Sequence, residues 1–200
     1  AFNFYYPDNI TLLERTGLNI VRFSPLHDTC LPDCQMIWLG GGYPELHAAA
    51  LARNVSMLNQ LREAHQRGVA IYAECGGLMY LGSSLEDSNG DTWLMADIIP
   101  GHSKMGKRLT RFGYCEAQAE RQTLLAAPGE VLRGHEFHYS DFTAQLSPVM
   151  ACRKTRDGAV LQQWQGGWQK GNTFASYLHL HFSQRPAMLN HWFAAARSAQ

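Results

Sequence analysis

Apolar residues in the first half of the chain form short runs of strand length, separated by stretches with helical spacing. The runs LNIVRF (18–23), MIWL within QMIWLGGGYPE (35–45), and VAIYA (69–73) predict three strands. Between the second and third runs, ELHAAALARNVSMLNQLREAHQRG (45–68) predicts a helical region that ends at Gly68. Strands separated by helix-length connections are typical of a mostly parallel sheet with helices on both faces.

The second half of the chain has a different residue pattern. Turn signals separate short runs rich in aromatic and β-branched residues, which predicts hairpins and irregular strands. These signals are SNGD (88–91), PGE (128–130), RDG (156–158) and GGWQKGN (166–172). The predicted fold class is therefore α/β: one domain over residues 1–200, with a mostly parallel central sheet covered by helices and a hairpin-rich second half.

The chain ends in an amphipathic stretch, PAMLNHWFAAARSA (186–199), which predicts a helix covering the sheet from outside. Its apolar stripe is expected to be core rather than a cofactor contact. The stripe consists of Met188, Leu189, Trp192 and Phe193.

Composition narrows the function classes. Lys plus Arg and Asp plus Glu both total 17, so the chain has no basic excess for a nucleic-acid backbone. The apolar runs are too short to cross a membrane, and the start AFNFYYPDN lacks a charged segment followed by an apolar one, so we expect a cytoplasmic domain without a membrane partner.

The five cysteines, an odd number at irregular spacing, do not predict a disulfide framework, which agrees with a reducing compartment. Cys30 and Cys34 lack a second close pair to complete a zinc site. Together with Cys115 and Cys152, they are expected to be structural.

The remaining cysteine lies at the seam of GVAIYAECGGLMYL (68–81), which reads as strand, tight turn and helix. Cys75 occupies the turn, and the small residues Ala73 and Gly77 on either side let strand and helix approach, as a nucleophile elbow requires. The following helix directs its N–H groups and dipole toward the sulfur, which favours a thiolate. The alternative is a small buried hydrophobe, and the local pattern alone does not decide between them.

Two more polar clusters fall at strand ends, where ligands bind in open α/β sheets. In WLGGGYPE (38–45), glycines let backbone N–H groups turn into a cavity and stabilise an oxyanion, although a simple Gly-rich turn also fits. FASYLHLHF (174–182) is a strand-like run that contains His179 and His181, either of which becomes a candidate base if a nucleophile is near.

Two further motifs suggest other chemistry. GHSKMGKR (101–108) resembles a phosphate loop, but Arg108 stands where a hydroxyl should hold magnesium, so we interpret it as a basic mobile loop. RGHEFHYS (133–140) is not a zinc-binding HExxH pattern, and strand alternation would separate His135 from His138. We expect a polar strand that faces substrate rather than a metal site.

Four motifs together carry a family resemblance: WLGGGYPELHA (38–48), YAECGGLMYLG (72–82), RGHEFHYS and ASYLHLHF (175–182). They resemble the glutaminase domains of cobyrinic acid a,c-diamide synthases, which are class I glutamine amidotransferase domains of the cobyric acid synthase type. The resemblance implies that Cys75 attacks the glutamine side-chain amide and that His179 is its base. It also implies an oxyanion hole shaped by Gly41, Gly42 and Gly76. The other polar residues of the motifs are expected to contact substrate or a neighbouring domain: Tyr43, Glu74, His135, Glu136, His138 and His181.

The resemblance also implies partners. Ammonia from glutamine would pass to a carboxylate of a corrin precursor, activated by ATP in an N-terminal synthetase domain. That domain is absent from this chain, so ATP and magnesium are expected there and no cofactor is expected here.

One departure from the family pattern concerns the base. Ordinary class I glutaminases carry His-x-Glu, with the Glu orienting the base, but the residue two after His179 is His181. The third member of a triad is thus missing or supplied from elsewhere, and we expect a Cys75–His179 dyad, since a thiol needs less activation than a hydroxyl. The resemblance selects His179 through SYLH; spacing alone does not.

Alternative functions remain open at this point. Within the family these are the glutaminases of cobyric acid synthase and of a lipid II amidotransferase. Outside it, they are a catalytically silent docking domain and a cysteine hydrolase acting on another substrate. A silent domain would be expected to have lost Cys75 or His179, and both are present.

Overall fold

The computed structural model describes residues 1–198 as five α-helices and thirteen β-strands. The helices are α1 (Pro7–Arg15), α2 (Ala48–Arg53), α3 (Val55–Gln66), α4 (Gly76–Leu81) and α5 (Pro186–Ser198). The strands are β1 (Met36–Leu39), β2 (Ala70–Glu74), β3 (Ser84–Glu86), β4 (Thr92–Leu94), β5 (Gly101–Met105), β6 (Arg111–Ala119), β7 (Val131–His138), β8 (Ser140–Ala144), β9 (Met150–Arg156), β10 (Ala159–Gly166), β11 (Trp168–Lys170), β12 (Thr173–Ser176) and β13 (His179–Leu180).

The central sheet has the strand order β1-β2-β12-β11. Strands β1, β2 and β12 run parallel, with Ile71 opposite both Ile37 and Thr173, and β11 closes the sheet antiparallel to β12. All five residues of β2 are buried, as expected for a strand covered on both faces. The α/β class and the mostly parallel sheet are confirmed.

Helices cover both faces of this sheet. On one face, Ile71 and Ala73 pack with the apolar stripe of α3, which includes Met57 and Leu61. On the other face, Tyr72 packs with α5, where Met188, Leu189 and Trp192 are buried and Phe193 is partly buried. The expected core role of the α5 stripe is therefore confirmed; Ala199, the last residue of the predicted helix, lies outside the described residues.

The predicted strand 18–23 is wrong. This segment is irregular, because Leu18 packs against the core on one face of the sheet and Phe23 against the core on the other. The segment thus crosses the edge of the sheet instead of pairing with it, and Ile20 and Val21 are exposed between these two anchors. The third parallel strand is β12, much later in the chain.

The second half contains two more sheets, ordered β10-β9-β6-β7-β13 and β4-β3-β5-β8, which confirms its hairpin-rich character. The interpretation of 101–108 as a loop is wrong for its first five residues. They form β5, which pairs with β3 and β8, because Gly101 and Ser103 face the interior while His102 and Lys104 face solvent. No helix follows β5 directly, so the structural context of a phosphate loop is not met.

The run 174–182 is divided between two sheets. Ser176 pairs with Glu74 in the central sheet, and only three residues later His179 pairs with His135 of β7 in the β10-β9-β6-β7-β13 sheet. This short crossing brings the carboxyl ends of the parallel strands against the β6–β7 hairpin. The predicted site residues collect at this junction.

Cys75 and the other four cysteines are all free thiols. Cys115 and Cys152 lie in the core and Cys34 is partly buried, consistent with structural roles, but Cys30 is exposed. None of the helices within residues 1–198 combines the length and the apolar character needed to cross a bilayer.

Candidate active site

Cys75 forms the turn between β2 and α4 in a strained conformation. Its φ is 48° and its ψ is −103°, a left-handed region that L-residues rarely adopt. Its N–H donates to the carbonyl of Ser176 at 2.7 Å, which ties the turn to the end of β12. A methyl group on Gly77 would lie 2.9 Å from Cβ of Leu39, so only glycine lets α4 approach β1 this closely. The predicted nucleophile elbow is confirmed in its geometry.

The loop after β1 contains Gly40, Gly41 and Gly42, and we call it the glycine loop. It lies directly against the elbow. A methyl group on Gly76 would be 3.0 Å from the Gly42 nitrogen and 2.9 Å from Cδ of Pro44. Within residues 1–198, the N–H of Gly42 makes no hydrogen bond to another protein group, whereas the Gly76 N–H faces the Cys75 sulfur. The structure therefore brings two of the three predicted oxyanion-hole residues, Gly42 and Gly76, together beside the nucleophile.

The first six residues, Ala1–Tyr6, which we call the N-terminal strap, lie across this glycine loop. The Tyr5 hydroxyl accepts a hydrogen bond from the Gly40 N–H at 3.0 Å, the Phe4 N–H donates to the Gly41 carbonyl at 3.0 Å, and the Ala1 carbonyl accepts from the Tyr43 N–H at 3.0 Å. The strap holds the loop in place. Sequence reasoning assigned no role to this segment; its only signal was the density of aromatic residues.

His179 is buried where β13 meets the glycine loop. A methyl group on Gly41 would overlap Cε1 of His179, so the third predicted oxyanion-hole residue packs its backbone against the imidazole. Phe4 contacts the ring edge-on at 5.0 Å between centroids, and His135 stacks on it at 4.9 Å. Burial, reinforced by His135 and His138, lowers the pKa of His179 to about 3. The imidazole is therefore neutral at pH 7 and able to accept a proton.

The Cys75 thiol is also neutral in this chain. Burial raises its pKa to about 12, opposed by the Gly76 N–H and reinforced by the charge of Glu74. The expected preference for thiolate is thus outweighed by burial. Residues 1–198 contain no hydrogen bond between Cys75 and His179, and unliganded sites often tighten such bonds only with substrate bound. The thiol proton has to be removed during the reaction.

Glu74 is the carboxyl group next to the base. It is buried, its Oε1 accepts from the Tyr72 hydroxyl at 2.6 Å and from the Leu180 N–H at 3.1 Å, and its Oε2 lies 3.9 Å from His179 Nδ1. That Nδ1 has no hydrogen-bond partner among the described residues. Burial raises the pKa of Glu74 to about 7, although the bonds from Tyr72 and Leu180 act in the opposite direction. The expected dyad thus has a third ionisable group beside it.

Glu136 and His138 form a buried pair behind the site. His138 Nδ1 lies 2.7 Å from the carbonyl oxygen of Ser140, and its Nε2 lies 3.1 Å from Glu136 Oε2. Both ring nitrogens of His138 therefore lie within hydrogen-bond distance of an oxygen. The His138 ring also stacks on Tyr177 at 3.7 Å.

That His135, Glu136 and His138 contact substrate stays a prediction. The strand alternation does separate them as predicted: Glu136 and His138 point into the interior, and His135 points toward His179. No group of three or more His, Cys, Asp or Glu side chains within residues 1–198 is arranged to hold a metal ion.

Two predicted residues lie at the surface. Tyr43 is exposed on the rim of the glycine loop. The His181 side chain is 41% exposed, with Nε2 3.5 Å from Asp8 and Nδ1 2.8 Å from the Ser183 hydroxyl. The structure thus places His179, and not His181, against Gly41 and Glu74. Sequence reasoning missed Tyr72, although its position two residues before Glu74 puts both side chains on one face of the predicted strand.

Comparison with known families agrees with this geometry. The model of the CobB/CobQ-like glutamine amidotransferase domain matches residues 1–187. The chain belongs to this family. As a glutamine amidotransferase domain, it is the glutaminase part of an amidotransferase enzyme, which confirms the enzyme class predicted from the four motifs.

Curated relatives of this amidotransferase domain include cobyrinate a,c-diamide synthases. One from Salmonella typhimurium is 79% identical over 197 residues, and one from Listeria innocua is 49% identical over 197 residues. In both cases the match covers 98% of this chain and 43% of the relative. The chain therefore spans less than half the length of these relatives and corresponds to their C-terminal glutaminase part.

Solved structures show the same fold at low sequence identity. A glutamine amidotransferase has a TM-score of 0.60 at 15% identity, covering 95% of this chain and 93% of its own. A second, from Thermotoga maritima, has a TM-score of 0.56 at 12% identity, covering 97% of this chain and 80% of its own. At these identities the likeness supports the fold alone, and it confirms the predicted amidotransferase-like architecture.

Proposed function

We propose that this domain hydrolyses glutamine to glutamate and ammonia through a thioester on Cys75. The ammonia serves the ATP-dependent amidation of the a and c carboxylates of cobyrinic acid, or of its cobalt-free counterpart hydrogenobyrinic acid, in cobalamin biosynthesis. The observation that carries the proposal is the convergence of a strained elbow cysteine, a neutral buried imidazole and a glycine loop at one junction. The names of the curated relatives support the choice of acceptor.

The proposed reaction is an acyl transfer. His179 takes the Cys75 proton as the sulfur adds to the amide carbon of glutamine, and the oxyanion rests on backbone N–H groups of Gly42 and Gly76, with Gly41 shaping the same pocket. The tetrahedral intermediate collapses as His179 returns the proton to departing ammonia. Water, deprotonated by the same imidazole, then hydrolyses the thioester to glutamate. Every step uses residues of this chain, so we propose no cofactor for this domain.

The proton transfers suit the electrostatics of the site. Burial keeps both Cys75 and His179 neutral, so the proton moves between two buried groups only when the sulfur attacks. The charge that develops on the substrate oxygen is then met by the dipoles of the Gly42 and Gly76 N–H groups.

The proposed partner is the part of the relatives that this chain does not match, which we assign as an N-terminal synthetase that binds ATP, magnesium and most of the corrin acceptor. We call the protein in which this chain follows that part the full-length enzyme. An exposed aromatic surface on the β6–β7 hairpin fits such a contact. It comprises Phe112, Tyr114, Phe137 and Tyr139, of which Tyr114 is 82% exposed.

This aromatic surface leads to the base. Phe112 contacts Phe137 at 5.8 Å between centroids, Tyr114 contacts His135 at 6.1 Å, and His135 stacks on His179. A synthetase docked here would cover the side of the site on which His135 stacks on His179. Because free thiols throughout residues 1–198 suit a reducing compartment, we also propose that the enzyme acts in the cytoplasm.

The decisive experiment replaces the nucleophile in the full-length enzyme. Cys75→Ala should abolish glutamine-dependent amidation and leave amidation driven by free ammonia intact, because ammonia bypasses this domain. A diazoketone analogue of glutamine should label Cys75 of the unmodified enzyme, as located by peptide mass spectrometry. Full glutamine-dependent turnover by Cys75→Ala would refute the nucleophile assignment, and absence of both labelling and glutamine hydrolysis would favour a silent docking domain.

A further inference from the structure

We propose that Glu74 is the positioning residue for His179, so that the residue immediately before the nucleophile supplies the carboxylate of a Cys-His-Glu triad. The inference rests on the proposed function, since it assigns a role in the same reaction.

Glu74 and Cys75 are neighbours at the end of β2, and their side chains leave the strand on opposite faces: Cys75 packs with the core against α3, whereas Glu74 lies on the face of Tyr72. The Cys75 sulfur faces the N–H of Gly76, whereas the Glu74 carboxyl group contacts the backbone of β13 at Leu180. Glu74 therefore approaches the imidazole from the face of the sheet opposite to the one on which Cys75 packs.

The Glu74 carboxyl group is held through one of its two oxygens. Its Oε1 is fixed by the Tyr72 hydroxyl and by the N–H of Leu180, the residue next to His179. The carboxyl group is thus attached to the strand that carries the base. Its Oε2 remains free and lies 3.9 Å from the unpartnered Nδ1 of His179. A movement of about 1 Å brings these atoms to the distance of a charge-assisted hydrogen bond.

A carboxylate beside His179 also sets the tautomer of its ring. A carboxylate at Nδ1 keeps the hydrogen on that nitrogen, which leaves the Nε2 lone pair free to take the Cys75 proton. When the imidazolium forms, Glu74 is the nearest group able to bear the opposite charge. Burial disfavours the charged form of each group separately, raising the pKa of Glu74 to about 7 and lowering that of His179 to about 3. Pairing the two charges offsets both penalties at the step that needs them.

Position 181 offers His179 no carboxylate. The triad carboxylate of ordinary class I glutaminases would fall two residues after the base, where this chain has His181 at the surface beside Asp8. The orienting group is therefore not missing from the fold. It comes from β2 instead of from the strand of the base.

The test measures glutamine-dependent amidation by the full-length enzyme over a range of pH. Glu74→Gln should lower kcat by about a hundredfold, with a smaller change in KM for glutamine, and should remove the acidic limb of the kcat/KM profile that ionisation of Glu74 produces. Glu74→Asp keeps a carboxylate and should recover part of the rate and the acidic limb. Amidation driven by free ammonia should be unchanged in every variant.

Glu45→Gln is the matched control, because Glu45 also acts on the charge state of Cys75 but makes no hydrogen bond or ion pair with His179. It should keep its rate within about threefold of the unmodified enzyme. Tyr72→Phe removes one anchor of the carboxyl group and should cause an intermediate loss, which keeps the inference testable if Glu74→Gln does not fold.

The outcomes separate the two proposals. If Cys75→Ala loses glutamine-dependent activity while Glu74→Gln keeps an unchanged rate and pH profile, the positioning role is refuted and the dyad stands. A loss of rate without any change in the pH profile would assign Glu74 a structural role only. If Cys75→Ala itself remains active, the proposed function fails.

Discussion

Gly41 offers a direct way to displace the base without removing it. In Gly41→Ala, the added methyl group would lie 3.3 Å from both Nδ1 and Nε2 of His179 and would overlap Cε1 between them. Carbon atoms in contact need about 3.5 Å, so the ring has to move by roughly 1 Å. The ring is also confined by Phe4 and His135, which leaves it no unhindered path.

A shift of this size at a reacting group costs on the order of a hundredfold in rate. We therefore expect the kcat for glutamine-dependent amidation by Gly41→Ala to fall about a hundredfold, while overpacking lowers the free energy of unfolding by about 1–3 kcal/mol. Stopped-time assays of glutamate release, together with thermal unfolding, measure both quantities.

Gly166→Ala is the matched control. A methyl group there would lie 3.6 Å from the Cys152 sulfur, an ordinary contact, and should change neither rate nor stability appreciably. Combining Gly41→Ala with His179→Ala should be no worse than His179→Ala alone, because both changes remove the same group. Full turnover by Gly41→Ala would refute the assignment of His179 as the base in this position.

Two further predictions concern the same site in the full-length enzyme. His179→Ala should lose activity by a factor comparable with Cys75→Ala. His181→Ala should stay within a few fold of the unmodified enzyme, because its ring lies beside Asp8 at the surface. The reverse ranking, measured as glutamate release, would move the base to His181. The isolated chain should turn over glutamine at least a hundredfold more slowly than the full-length enzyme with ATP and the corrin acceptor, because a single misdirected oxyanion donor costs that much; equal rates would show that docking controls nothing.

The sequence predicted those features that depend on short stretches of chain. The elbow at Cys75 follows from an apolar strand, small flanking residues and a helical continuation, all within fourteen positions (68–81). The strand β1, the helices between residues 45 and 68, and the stripe of α5 follow from periodicity in the same way.

Features that depend on distant contacts were missed or misassigned. The segment 18–23 has strand composition, but its two ends anchor on opposite faces of the sheet, which no local pattern records. The run 174–182 looks continuous, yet it changes sheets between Ser176 and His179. The approach of Glu74 to His179 depends on that change, so the sequence left the third triad member open.

The N-terminal strap affects the choice of the first residue when this domain is expressed alone. A version that begins at Tyr6 loses three hydrogen bonds to the glycine loop at once, those made by Ala1, Phe4 and Tyr5. At about 1 kcal/mol each, this is a modest fraction of the stability of a domain. The loss falls on the loop that shapes the oxyanion hole and on the ring edge of His179, and it also removes the packing of Ala1 and Phe2 against the core. A domain boundary drawn five residues later would therefore weaken the glycine loop and one edge of the core together, and would give a less stable and slower protein than one that begins at Ala1.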